Sequence, residues 1–190
     1  MADESLSREE KLLLLKIARD TVEAHARGRG KPPLPDPLPP ALTRRSGAFV
    51  TLHKLSQLRG CIGNFFSDGP LAEMVQNMAV AAGWEDPRFS PVTDSEPPLL
   101  DIEISVLSPL REISDVNEIE VGKHGIFITK GYYRGVLLPQ VATEYGWDRE
   151  TFLDHTCQKA GLPMDAWKRG GVKIEIFSAE VFGEKELGLK

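Results

Sequence analysis

Residues 32–40, Pro-Pro-Leu-Pro-Asp-Pro-Leu-Pro-Pro, hold six prolines in nine positions. Each prolyl ring fixes φ and removes a backbone donor, so neither a helix nor a central strand can cross this stretch. The chain is therefore a leading segment and a long remainder, joined by extended backbone. Such a run can serve as a polyproline ligand for another protein. The expectation here is a segment draped over its own domain.

The leading segment reads as a helix. Ser7 and Glu10 have the spacing of a capping box. Leu14, Ile17, Ala18 and Val22 form an apolar stripe at helical spacing, which reads as core packing. Gly28 and Gly30 end the helix near Arg27.

After the prolines, Ala48 to His53 and Leu58 to Ile62 read as two strands joined by a turn at 54–57. A register that sets His53 opposite Leu58 and Phe49 opposite Ile62 would place Cys61 and Arg59 beside Val50 and Leu52. One slip would change every neighbour. A helix follows from Leu71 to Ala82, with Pro70 leading into it and Met74, Val75 and Met78 on its apolar stripe. Asp86-Pro87-Arg88 reads as a loop that exposes both charges. Leu100 to Leu107 alternates apolar and polar residues, the pattern of a half-buried strand. Two further strands are expected at 125–128 and 135–138, a short helix from Pro139, a helix from Arg149 to Ala160 capped by Asp148, and a last strand from Val172 to Phe182. Strands and helices mix without a regular βαβ rhythm, so the expected class is α+β, with a largely antiparallel sheet and flanking helices.

Length and charge narrow the function classes. A chain of 190 residues suits one large domain or two small ones. A net charge of −5 disfavours nonspecific nucleic-acid binding, which rests on cation–phosphate attraction. Lys11, Lys16, Arg19 and the Arg44-Arg45 pair read as solvated surface. The acidic N-terminus and the four-residue run Leu12–Leu15 do not resemble a secretion signal or a membrane span, so a reduced cytoplasmic protein is expected. The four histidines are scattered, no metal-type Cys/His cluster is present, and no metal or cofactor is indicated.

The chemistry concentrates in Leu58-Arg59-Gly60-Cys61-Ile62-Gly63. Residues two apart on a strand share a face, so Arg59 and Cys61 are expected together. Gly60 and Gly63 would admit a ligand or another backbone. A cation beside a thiol favours the reactive thiolate. The alternative is that Cys61 is a small buried hydrophobe and Arg59 a surface charge. Cys157, inside a predicted helix, reads as a buried structural thiol.

These motifs resemble the AMMECR domain family, protein A of the AmmeMemoRadiSam system. The signature at 58–63 carries the resemblance, together with Phe49-Val50-Thr51-Leu52-His53-Lys54, Asp86-Pro87-Arg88-Phe89-Ser90-Pro91-Val92, Ile102 to Leu107, Gly135 to Val141 and the stretch from Trp147 to Leu162. The resemblance implies a single domain over about 5–188, made of two intimately packed subdomains. The larger would hold both termini and the smaller would be inserted. It also implies a Memo-like protein and a radical-SAM protein as partners.

Three functions compete at this level. The first is a subunit that binds a small anion: Arg59 and Arg88 would grip it through forked hydrogen bonds, Asp86 or Glu103 would orient an arginine or accept a proton, and Gln140 would donate an amide. The second is a cysteine hydrolase or transferase, with Cys61 attacking and backbone amides near Gly60 or Gly63 holding the oxyanion. In the register above, His53 lies on the face opposite Cys61, which counts against it as a base. The third is a scaffold without chemistry.

Overall fold

The structure is a computed structural model describing residues 5–190; the first four residues of the acidic N-terminus lie outside it. The chain forms two compact units: residues up to Leu107 with Glu180–Lys190, and the stretch Ser108–Ala179 between them.

In the first unit, α1 (Arg8–Ala26) starts on the expected capping box, with both reciprocal bonds made. The proline run is extended. It lies against its own unit, with Leu34 and Leu38 packed on the core and the Pro32 carbonyl accepting from Gln76. A short α2 (Pro40–Thr43) ends it. β1 (Ala48–Lys54) and β2 (Gln57–Asn64) form a hairpin, α3 (Leu71–Trp84) follows, and β3 (Leu100–Leu107) pairs antiparallel with β1. The strand order is β2-β1-β3, which leaves β2 at the edge. One sheet face, with Val50, Leu52, Ile102 and Ile104, is fully buried with Leu14 and Val22 of α1 and Leu71 and Val75 of α3. Each such side chain contributes about 1.5–3 kcal/mol on leaving water. Arg19 is not the solvated residue expected. Its guanidinium is held by Glu184 and by the carbonyls of Pro97 and Leu100, so no N–H is buried unpaired there.

In the second unit, β4 (Arg111–Ile113) pairs with β7 (Lys173–Gly183), and β7 pairs with β5 (His124–Lys130), which pairs with β6 (Tyr133–Leu137). All three pairings are antiparallel. β7 continues past Ala179 into the first unit. α4 (Pro139–Glu144) and α5 (Arg149–Lys159) complete the unit, with Asp148 capping α5. The core holds Ile126, Ile128, Phe152, Leu153 and Cys157. β4 was not expected, because three residues are too few to display an alternation. The Trp147 ring stacks with both Tyr145 and His155. The fold is α+β, as expected. Among the described residues no helix is long and apolar enough to cross a membrane.

Candidate functional site

The hairpin contains one irregularity, and it decides the site. His53 does face Leu58, but the next pair is Leu52 with Gly60, so Arg59 is an extra, bulged residue. Beyond it Cys61 pairs with Thr51, Ile62 with Val50 and Gly63 with Phe49. The expected pairing of Phe49 with Ile62 does not occur. Cys61 does not stand beside Val50 and Leu52, which lie on the buried face. It shares the other face with Thr51, His53 and Phe49. β3 extends that face with Glu103 opposite Thr51 and Asp101 opposite His53. The bulge thus brings His53 to the same side as the thiol, reversing the expectation.

The two glycines are explained by packing. A Cβ at Gly60 would stand 2.0 Å from the Ala82 carbonyl oxygen, where the last turn of α3 presses on β2. A Cβ at Gly63 would stand 2.1 Å from the Phe49 ring. Neither opening faces free space, so the ligand-cradling role expected of Gly60 and Gly63 is filled by the protein itself.

In an antiparallel ladder alternate residues turn their N–H and C=O away from the neighbouring strand. At an edge strand these groups need other partners. For Cys61 the loop after α3 supplies them. Its N–H donates to Asp86 Oδ2 at 2.9 Å, and its carbonyl accepts from Arg88 Nη2 at 3.3 Å. Arg88 also grips Asp86 through Nε at 2.9 Å and Nη2 at 2.7 Å. Asp86 is only 4% exposed, contrary to the exposed loop charge expected. Its carboxyl is held well below the usual carboxylate range, chiefly by Arg88, with the Cys61 N–H adding to the effect and burial opposing it.

The same loop fastens Arg59. Its Nε and Nη2 each donate to Glu96 at 3.1 Å. Lys54 donates to Glu96 at 2.8 Å, and Thr93 adds its N–H at 2.9 Å and its hydroxyl at 3.1 Å. Arg59 is the main cause that holds the Glu96 carboxyl well below its ordinary range. Both forks expected to grip a ligand anion are therefore closed on carboxylates of this chain. The remaining Arg59 nitrogen, Nη1, is buried and has no hydrogen-bond partner among the described residues.

On the shared face, the Thr51 hydroxyl donates to Cys61 Sγ at 3.2 Å, and the thiol is half-buried. Glu103 is half-buried as well, and its side chain makes no hydrogen bond or ion pair among the described residues. Gln140 lies on α4 of the second unit. Cys157 is a free, fully buried thiol, and burial pushes its titration up. No group of three or more His, Cys, Asp or Glu among the described residues is placed to hold a metal ion. Two residues of this arrangement escaped the reading of the sequence. Thr51 is visible only once the bulge is known, and Glu96, beside two prolines, carries no motif.

Comparison with known proteins adds the relatives. The family model described as AMMECR1 matches residues 15–182. A protein of Methanothermobacter thermautotrophicus is 44% identical over 185 residues, covering 94% of this chain and 96% of the relative. Protein MJ0810 of Methanocaldococcus jannaschii is 41% identical over 190 residues, covering 95% and 93%. The crystal structure of the uncharacterized protein PH0010 from Pyrococcus horikoshii is similar with a TM-score of 0.81 at 38% identity, covering 96% of this chain and 95% of that one.

Proposed function

We propose, from the premise that this chain belongs to the AMMECR1 family, that it is a small-ligand-binding subunit of a metabolic or modifying system. Its site is the sheet face bearing Cys61, Thr51, His53 and Glu103. The observation that carries the reading is the division of tasks at Cys61. Asp86 and Arg88 hold its backbone, while its side chain lies on the polar face with a hydroxyl against the sulfur, and the residue is only partly buried.

Two further features suit a ligand there. Glu103 is half-buried on this face with no side-chain partner among the described residues, so it can accept from a ligand donor. An acidic ligand oxygen suits the outer edge of Arg88, whose side chain is 55% exposed. The subunit would act with a Memo-like protein and a radical-SAM protein, the partners that the resemblance implies.

The test is co-purification with a Memo-like protein, followed by untargeted metabolite analysis. A small acid retained or turned over by the wild-type pair, and lost with Cys61→Ala, is the expected result. A stable stoichiometric complex without any retained or altered metabolite would favour a scaffold instead.

A second reading, a free-standing cysteine hydrolase or transferase, gains one observation. The bulge sets His53 on the thiol's face, diagonal to Cys61, where cross-strand neighbours lie about 7–8 Å apart. His53→Gln would abolish turnover by the isolated chain in that case, whereas the first reading expects no turnover by the isolated chain at all.

A further inference from the structure

We infer that Thr51 is the positioning residue of the Cys61 thiol. Its hydroxyl holds the sulfur in place and supplies a hydrogen bond to the thiolate. This rests on the reading of the Cys61 face as the functional site, and it adds to that site a residue to which no role has been given.

Thr51 and Cys61 are direct cross-strand partners. The ladder bonds of Cys61 point outward to Asp86 and Arg88, so Thr51 and Cys61 form a non-hydrogen-bonded pair. In such pairs the side chains approach most closely. A threonine hydroxyl has one proton to give. Glu103 stands opposite Thr51 on the other side and its carboxylate is a stronger acceptor than a thiol, yet no side-chain bond joins them among the described residues. The proton goes to Sγ at 3.2 Å.

A hydroxyl aimed at sulfur stabilises the anion more than the neutral thiol, because charge-assisted hydrogen bonds are the stronger ones. The backbone of Cys61 cannot swing away to escape the contact, since the Asp86–Arg88 pair holds it. Thr51 is also β-branched, so its χ1 is stiff and the hydroxyl keeps its direction. Nothing here requires Thr51 to touch a ligand. It acts through the sulfur.

The experiment is iodoacetamide alkylation of the whole chain across pH, followed peptide by peptide so that Cys61 and Cys157 are read separately. Thr51→Val keeps shape and strand preference and removes the hydroxyl; Thr51→Ser keeps the hydroxyl. The expected result is slower Cys61 alkylation in Thr51→Val at neutral pH, by about threefold to tenfold, with the pH profile moved to higher pH. Thr51→Ser restores most of the rate and the profile. Equal profiles for wild type and Thr51→Val would overturn the inference while leaving the Cys61 site standing. Equal slowing in Thr51→Val and Thr51→Ser would overturn it too, by showing a packing role. A Cys61 that is inert in the native wild type would overturn the site itself.

Discussion

The Asp86 carboxylate accepts the backbone N–H of Cys61 at 2.9 Å, across a separation of 25 residues. This bond does what a neighbouring strand would do. It satisfies an edge-strand donor, and Arg88 satisfies the carbonyl of the same residue. The edge strand is sealed where its cysteine sits, and the side chain stays on the open face.

Removing either half of this clamp should therefore be felt in folding. Asp86→Asn keeps the shape and loses the charge that Arg88 grips. Arg88→Gln leaves a buried carboxylate short of its cation. Each should lower unfolding free energy by about 2–3 kcal/mol in denaturant titrations. Amide exchange at Cys61 should accelerate in both. Unchanged exchange there would show that Asp86 does not hold this strand.

Acid should loosen the same region. Asp86 and Glu96 both titrate well below the usual carboxylate range in the folded protein. Unfolded, such groups titrate near about 3.9 and 4.3. A depressed folded value contributes stability that is fully present above the unfolded value and is lost as pH falls. Stability should thus hold from about pH 7 to 5 and drop as pH falls below about 4. The double variant Asp86→Asn, Glu96→Gln should start lower and fall less between pH 6 and 3. Parallel curves for wild type and variant would contradict this assignment.

The two signature glycines should respond unequally to alanine. At Gly60 the new Cβ meets a backbone carbonyl of α3, which cannot move without moving the helix. The expected loss is about 3 kcal/mol or more. At Gly63 it meets the Phe49 ring, a side chain that can turn, and about 1–2 kcal/mol is expected. Thermal denaturation of both variants checks the order.

The hairpin turn predicts a gain. Leu55 and Ser56 hold φ of +52° and +64°, and Leu55 is 83% exposed. This backbone suits glycine or asparagine, not leucine. Ser56→Gly should stabilise the chain by up to about 1 kcal/mol, read from the denaturation midpoint. A loss of stability would mean that Ser56 makes a contact that outweighs its strain.

Much of this molecule can be read from local patterns. The capping box at Ser7, the alternation along β3, the stripe on α3 and the draped prolines all follow from interactions within a few residues. What could not be read is long-range. The bulge at Arg59 depends on how β2 meets β1, α3 and Glu96, and no dipeptide announces it. One extra residue moved Cys61 from the side of Val50 and Leu52 to that of Thr51 and His53. Asp86 looked like an exposed turn charge because its partner, the Cys61 N–H, lies far away in sequence. Arg59 and Arg88 were recognisable as forked donors, but that each already has its carboxylate is a fact of tertiary structure.

Peptide-resolved alkylation of the native chain tests the central claim most directly, that this fold presents the Cys61 thiol on a working face. Cys61 should be labelled by iodoacetamide in the folded protein, while Cys157 stays unlabelled until denaturant is added. If both cysteines stay silent until unfolding, Cys61 is a packed structural residue and the face around it is not the site.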